Sequence, residues 1–235
     1  LGALHQNDLV LASPLYRDGE IILWVGNVLH HPDVGGIDEG SFCINARNLY
    51  QDPPRYFLKI VDQGEMVKEV EYTFVTNSRL PDMVALDLRA QIGAIHVAKQ
   101  RLDELLDERG AGLVATIMSR AIDVAEQQVR GLIREMPSGR WTGMAYMDGP
   151  RVGSDEILQV QVALTREGDQ LVFDYAGSSP QIDAAVNCTY IACVAGTTVP
   201  LYSFLCQGDI DWNDGLRRCV TVNAPEGSVV NATFP

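Results

Sequence analysis

The pattern of apolar and polar residues divides the chain into three regions with different predicted secondary structure. Residues 1–84 are rich in loops and contain two strand candidates, Leu9–Ser13 and Glu20–Val28. Asp18-Gly19 lies between these strands and is typical of a hairpin turn. The first region is therefore predicted to be a loop- and strand-rich segment built around one β-hairpin.

Residues 85–137 have helical periodicity and predict a central helical hairpin. The first helix places a row of aliphatic residues on one face: Leu88, Ile92, Ile95, Leu102 and Leu106. The second helix follows the break at Gly110 and Gly112, ends before Pro137, and has four residues in phase: Leu113, Ile117, Val124 and Leu132. Asp87 is placed where it could cap or face the N-terminal end of the first helix.

Residues 138–235 are predicted to be rich in strands. The candidates are Ile157–Val162, Leu171–Tyr175, Cys219–Val222 and Ser228–Val230. Because long βαβ alternation is missing, the sequence favours an α+β fold over a doubly wound one. The chain begins at Leu1 without a methionine and stops directly after a strand-like stretch. We therefore expect one continuous domain that is truncated at both ends, a fragment of a longer chain.

Composition narrows the possible partners. The chain has 18 Lys and Arg against 31 Asp and Glu, a net charge of −13, which argues against binding to nucleic acid. No apolar run reaches the roughly 18–20 residues that span a bilayer. No glycine-rich phosphate-binding motif is present, so we expect that this chain binds no nucleotide cofactor. The cysteines form no CxxC pair, which indicates reduced thiols and a cytoplasmic location: Cys43, Cys188, Cys193, Cys206 and Cys219.

The strongest candidate chemistry is a divalent-metal site formed by His5, Asp8 and His30. Imidazole and carboxylate ligands together suit ions such as Zn²⁺ or Mn²⁺. The predicted hairpin would bring His30 back to the place where His5 and Asp8 lie. Three protein ligands would leave positions open for water or substrate. The alternative is that both histidines are loop residues bonded to the backbone and that Asp8 caps a turn.

Two further charged residues, Asp87 and Arg89, are weaker candidates for contact with a substrate or a partner. A salt bridge at the start of the helix is the alternative role for them. His96 lies in the middle of the predicted helix between apolar residues and is assigned a structural role.

Taken together, these motifs resemble the hydantoinase B/oxoprolinase family, and the resemblance runs along the whole chain. The motifs that carry it are His5…Asp8, Ser13-Pro14-Leu15-Tyr16-Arg17-Asp18-Gly19-Glu20, His30-His31-Pro32-Asp33-Val34-Gly35-Gly36, Asp87-Leu88-Arg89-Ala90-Gln91-Ile92, Phe173-Asp174-Tyr175-Ala176-Gly177, Pro180-Gln181 and Ala224-Pro225-Glu226-Gly227-Ser228. The family includes enzymes of the N-methylhydantoinase B kind, caprolactamase, part of 5-oxoprolinase, and the large subunits of acetone and acetophenone carboxylases.

The resemblance implies specific roles for the residues at the metal site. The family's metal ligands correspond to His5, Asp8 and His30, and its usual ions are Zn²⁺ and Mn²⁺. His31 and Asp33 become the candidate catalytic residues, as groups that orient the ligands. The sequence departs from the family at Ala3-Leu4, where many members have Gly-Thr. The upstream region that is expected to supply a further carboxylate ligand is missing from the sequence.

The resemblance also implies a function. A separate ATP-binding subunit of the hydantoinase A type would phosphorylate the substrate, and the metal site would act on the activated species. The first hypothesis is the catalytic subunit of an ATP-dependent hydrolase of cyclic amides such as hydantoin, oxoproline or a lactam, working in a hetero-oligomer. The runner-up is the large subunit of a biotin-independent ketone carboxylase. A third possibility is a non-catalytic scaffold subunit with a structural ion or none.

Overall fold

The computed structural model describes residues 5–149 and 153–234, and it contains both helices and strands. In chain order the elements are β1 (Asp8–Arg17), β2 (Glu20–His30), β3 (Val61–Asp62), β4 (Glu65–Met66), α1 (Lys68–Thr76), α2 (Pro81–Arg109), α3 (Ala111–Glu135), β5 (Arg140–Met147), β6 (Leu158–Glu167), β7 (Gln170–Asp174), α4 (Tyr190–Leu205), α5 (Asp214–Arg217) and β8 (Val220–Asn223). The described residues form two compact units, one extending to Val114 and the other starting at Ala115.

The first unit is organised by the β1–β2 hairpin, whose predicted turn is confirmed. Asp18 and Gly19 have φ values of 51° and 82°, the left-handed conformation that a two-residue hairpin turn needs at both central positions. Both strands are longer than predicted, and β2 extends to His30. The hairpin therefore runs over almost the whole length between the two parts of the candidate metal site.

One face of the hairpin packs on helix α2, and the other face is open. Leu9 and Leu11 of β1 contact a core formed by α1 and α2, while Leu15 is buried near the end of α2. Because side chains alternate along a strand, the intervening residues of β1 point away from α2. Val10 is 61% exposed for this reason, although it is as apolar as its neighbours.

Helix α2 starts earlier than the sequence pattern predicted. Its first residue is Pro81, where the missing N–H and fixed φ of proline suit a helix start. Asp87 therefore lies inside the helix, and its predicted position at the N-terminal end is wrong. The helix ends at Gly110, which has a φ of 81°. That residue alone separates α2 from α3.

The second unit contains a four-stranded sheet with the order β5-β6-β7-β8. The first three strands are antiparallel, whereas β7 and β8 run parallel and are connected through α4 and α5. The strands predicted within 157–162, 171–175 and 219–222 correspond to β6, β7 and β8. The fourth candidate, Ser228–Val230, forms isolated bridges instead of a strand in the described structure.

Helix α3 packs on this unit through a different face from the one predicted. The α3 residues buried in the core of this unit are Ala125, Val129 and Ile133, in one cluster with Leu171 of β7. Among the predicted set, Leu132 packs against this core, but three residues are 51%, 58% and 39% exposed: Leu113, Ile117 and Val124. The helix carries two apolar stripes, and residue spacing alone cannot decide which of them is covered.

Helix α4 lies within residues 138–235, which the sequence predicted to be rich in strands, although no strand candidate falls on residues 190–205. Thr189 caps its start by accepting a hydrogen bond from the Ala192 amide. The Thr197 hydroxyl donates to the Cys193 carbonyl one turn earlier, at 2.8 Å. The segment lacks an amphipathic pattern because the helix is apolar throughout, and its β-branched residues and internal Pro200 favour other structures.

Within the described residues, none of the helices combines the length and the apolar character that crossing a lipid bilayer requires.

Candidate metal centre

The register of the hairpin places Asp8 directly opposite His30 at its open end. Directly opposed residues of an antiparallel pair have their side chains on the same face, with Cβ atoms about 5 Å apart. The His30 Nδ1 atom accordingly lies 2.9 Å from Asp8 Oδ1. Both side chains project from the face that does not pack on α2.

His5 joins this pair through a turn that precedes β1. The Asp8 amide donates a hydrogen bond to the His5 carbonyl at 3.2 Å, which folds the chain back over three residues. His5 Nε2 then lies 3.8 Å from Asp8 Oδ2, and the His5 and His30 rings meet edge to face with centroids 4.7 Å apart. The structure thus brings together all three predicted ligands.

The spacing of these donors is close to the spacing that a divalent ion requires. One ligand atom from each of His5, Asp8 and His30 lies within 4.8 Å of the others. Bonds of about 2 Å hold ligand atoms at most about 4 Å apart, so small side-chain movements would complete the set. The His30 side chain is 46% exposed, which leaves the group accessible to small molecules.

Electrostatics at His5 favour its neutral form. Burial lowers the pKa of His5, the Asp8 carboxylate raises it, and His30 lowers it again, so that the pKa lies below its ordinary value. Neutral imidazole is the form that binds metal ions. The Asp8 carboxylate therefore does not offset the lowering of the His5 pKa by burial and by His30.

The two adjacent histidines face opposite sides of the hairpin. Whereas His30 is on the open face, His31 is completely buried, and its Nε2 lies 2.9 Å from Gln91 Oε1 on α2. The Gln91 amide nitrogen donates to the Leu9 carbonyl and to Asn27 Oδ1. Its oxygen is thereby turned to His31, so Nε2 of that ring carries the proton. The contacts of His31 are those of a positioning residue, and its predicted catalytic role stays a prediction.

Asp33 is also buried, at 2% exposure, and its carboxylate organises the loop that follows β2. Oδ1 accepts from the Gly35 and Arg79 amides, and Oδ2 accepts from the Gly40 amide and the Arg79 guanidinium at 2.9 Å. Burial alone would raise the pKa of Asp33, but the hydrogen bonds from Arg79 and Gly40 outweigh it and hold the pKa below its usual value. Its predicted catalytic role is likewise untested by these contacts.

Arg89 forms an ion pair, but not at the start of α2. Its guanidinium donates to Glu71 Oε1 at 2.7 and 3.0 Å, which links α2 to α1. Asp87 is half-buried inside α2. The alternative of a salt bridge at the helix start is therefore wrong. A contact of Asp87 or Arg89 with a substrate or partner stays a prediction.

Sequence reasoning missed two residues that touch the predicted ligands. Ser41 Oγ lies 2.7 Å from His30 Nε2, and the Phe42 ring contacts the His5 ring edge to face, with centroids 4.9 Å apart. They belong to an irregular loop, where no periodicity marks a residue as important. Gln91, by contrast, lies inside one of the motifs that carried the resemblance, so a signal for it was present.

The cysteines do not form an alternative catalytic group. Four of them are buried and the fifth, Cys188, is partly buried, and none of the five forms a disulfide. Burial raises the pKa of both Cys193 and Cys219 to about 11. Such thiols are protonated at neutral pH and are poor nucleophiles.

Comparison with known proteins agrees with the motifs. The family model described as Hydantoinase B/oxoprolinase matches residues 1–235. The B subunit of a putative D-/L-hydantoinase from Pseudomonas sp. (strain NS671) is 28% identical, over 100% of this chain and 41% of its own length. The crystal structure of ATP-dependent caprolactamase from Pseudomonas jessenii is 28% identical, with a TM-score of 0.88 over 98% of this chain and 40% of that one.

A nucleotide-free structure of acetone carboxylase shares the fold at 22% identity. Its TM-score is 0.91, and the match covers 98% of this chain and 32% of that one. The chain thus spans about two-fifths or less of the length of these relatives.

Proposed function

Because the chain belongs to the hydantoinase B/oxoprolinase family, which has cyclic-amide hydrolases and carboxylases among its members, we propose that it carries the metal site of an ATP-dependent cyclic-amide hydrolase. The observation that carries the proposal is the meeting of His5, Asp8 and His30 at the open end of the hairpin. We further propose that the ion is Zn²⁺ or Mn²⁺, that the reaction is hydrolysis and that a partner subunit binds ATP.

In this proposal His5, Asp8 and His30 hold the ion from one side. A bound divalent ion supplies positive charge that polarises a carbonyl oxygen and acidifies a water molecule. Imidazole is neutral when it binds a metal ion and Asp8 would contribute one negative charge, so these three ligands would neutralise half of the charge of the ion. The further carboxylate that the resemblance implies upstream would neutralise the other half.

The surrounding residues keep these ligands in place. Gln91 holds the β1 backbone next to Asp8 through the Leu9 carbonyl, and it holds the residue after His30 through the His31 ring. Asp33 fixes the loop that lies beside the His30 ring. We assign to His31 and Asp33 the role of positioning residues for the metal ligands.

A partner supplies the ATP chemistry in this scheme. We infer that an ATP-binding subunit of the hydantoinase A type phosphorylates the cyclic amide and that the two chains form a cytoplasmic hetero-oligomer. The support is that the similar hydantoinase chain is itself one subunit of its enzyme and that the similar caprolactamase is ATP-dependent.

A ketone carboxylase is the second candidate, favoured by the fold that the chain shares with acetone carboxylase. The two reactions differ in whether bicarbonate carbon enters the product. The complete polypeptide, copurified with its ATP-binding partner, should be given ATP, labelled bicarbonate and either a hydantoin or a ketone. Ring opening without label supports the hydrolase, and labelled product overturns it.

The third candidate, a scaffold with a structural ion or none, is tested by His30→Ala. The expected result is loss of stoichiometric metal and at least a hundredfold loss of activity with the partner. His96→Ala is the matched control, because His96 lies outside the ligand group and is exposed on α2, although its apolar neighbours suggested a structural role. Undiminished activity of His30→Ala would refute a catalytic role for the site.

A further inference from the structure

The His30 ring uses both of its nitrogen atoms, and they face different groups. Nδ1 lies 2.9 Å from Asp8 Oδ1, whereas Nε2 lies 2.7 Å from Ser41 Oγ. An ion shared with Asp8 and His5 must sit on the Nδ1 side of the ring. Nδ1 is therefore the ligand atom that the geometry favours, and Nε2 points away from the ion.

A neutral imidazole has one N–H and one lone pair, and a metal ligand must present the lone pair to the ion. A serine hydroxyl both donates and accepts hydrogen bonds, so Ser41 is able to accept the proton of His30 Nε2. Without an ion, the 2.9 Å contact with the Asp8 carboxylate has Nδ1 as the donor. When an ion takes the place of that proton at Nδ1, the neutral ring carries its proton on Nε2 and Ser41 accepts it. On the metal-site proposal above, we propose that Ser41 is a positioning residue that fixes the His30 ring with Nδ1 toward the ion.

The position of Ser41 is itself determined by the residue before it. The Gly40 amide donates to Asp33 Oδ2 at 3.1 Å, and the Gly40 carbonyl accepts from Asn7 Nδ2 at 3.4 Å. Asn7 directly precedes the ligand Asp8, and its amide nitrogen also donates to the His31 carbonyl at 2.8 Å. The Asn7 side chain thus connects the residue before Ser41 to the residue after His30, and Asn7 itself directly precedes Asp8.

The effect of losing the hydroxyl follows from the exposure of His30. Because that side chain is 46% exposed, water would replace Ser41 at Nε2 and the ring would be free to turn. Loss of an outer hydrogen-bond partner of a metal-binding histidine typically weakens metal affinity about 10- to 100-fold. We expect an effect near the lower end, about tenfold, since water remains able to accept the proton.

The test is a competition titration of Zn²⁺ against a chromophoric chelator, using the complete polypeptide that carries this chain. Ser41→Ala should bind Zn²⁺ about tenfold more weakly than the wild type. Ser41→Thr keeps a hydroxyl at the same place and should restore the affinity. Ser203→Ala is the matched control, because the exposed Ser203 hydroxyl bonds to the Val199 carbonyl of its own helix.

A second measurement reports on the ring itself. In Co²⁺-loaded protein the ring N–H protons of metal-bound histidines give strongly shifted proton NMR signals that exchange with solvent. The His30 signal should persist in the wild type and in Ser41→Thr, and it should disappear through rapid exchange in Ser41→Ala. Equal Zn²⁺ affinity and an unchanged His30 signal in Ser41→Ala would overturn the inference about Ser41 while leaving the metal site intact. Wild-type protein that binds no Zn²⁺ would overturn the site and this inference with it.

Discussion

Replacing Asp33 with asparagine removes the buried charge that organises the loop after β2. The carboxylate has two oxygens, and each accepts two hydrogen bonds, from the amides of Gly35, Gly40 and Arg79 and from the Arg79 guanidinium. Asparagine has one acceptor oxygen, so its NH₂ group would face two donors whichever way the amide is turned. Two buried donors left without an acceptor cost about 2–6 kcal/mol.

The lower half of that range is the better expectation for Asp33→Asn. The Arg79 side chain is 39% exposed, so water solvates its guanidinium once the partner is gone. We therefore expect the local free energy of opening to fall by about 3 kcal/mol, which corresponds to roughly hundredfold faster exchange at 1.4 kcal/mol per factor of ten. Amide hydrogen exchange of a peptide covering residues 33–41, measured by mass spectrometry, reports this change directly.

The matched control is Asp62→Asn. Asp62 is 57% exposed in its ion pair with Lys59, at 3.2 Å, and exposed pairs contribute less than about 1 kcal/mol. Exchange of residues 33–41 should be unchanged in that variant. If Asp33→Asn lost activity while its exchange stayed within about threefold of the wild type, the positioning role would be refuted and the catalytic role that the sequence suggested for Asp33 would be supported.

Three further predictions concern the same chain. Because the pKa of Asp33 is lowered in the fold, the ionised carboxylate stabilises the folded loop at pH values above the ordinary carboxyl pKa, and this stabilisation is lost as the pH falls through the lowered pKa. Exchange of residues 33–41, corrected for intrinsic rates, should therefore accelerate on acidification in the wild type but not in Asp33→Asn. Leu88→Ala should lower the free energy of unfolding by about 2–5 kcal/mol, and Leu86→Ala, 68% exposed on the same helix, by less than about 0.5 kcal/mol, as measured by urea denaturation. With a pKa of about 11, Cys193 and Cys219 should be roughly one-thousandth thiolate at pH 8, and rapid labelling of both by iodoacetamide in the native protein would contradict this.

The hairpin, and the approach of His30 to Asp8 to within one residue of its pairing, could be predicted from the sequence because local signals define the turn and the strands. Asp18-Gly19 fits one kind of turn, and the period-two pattern beside it fits two strands. Counting residues from that turn brings Asp8 opposite Leu29, and a register shift between Leu15 and Tyr16 moves the pairing by one residue, so that His30 lies opposite Asp8. The same alternation places the neighbouring His31 on the opposite face of the hairpin, where it is buried.

Other features depend on contacts that no local pattern encodes. Helix α4 is apolar on all sides, so periodicity could not distinguish it from a strand. Helix α3 has two apolar stripes, and the choice between them is made by the sheet against which it packs. Ser41 reaches His30 from an irregular loop whose path is set by the Asp33 carboxylate. Such side chains are found only when the loop is seen in three dimensions.

The location of Asp8 and His30 at the end of the hairpin opposite its turn bears on how sites of this kind are recognised. Arg17, the last residue of β1 before the turn, lies nine residues along the strand from Asp8, about 30 Å away at 3.3 Å per residue. Adding one cross-strand pair at the turn would raise the difference in residue number between Asp8 and His30 from 22 to 24 and leave the two side chains opposite each other. The hairpin can therefore be longer or shorter at its turn without separating these two side chains. A sequence search that requires a constant spacing between the two residues would miss proteins with the same arrangement.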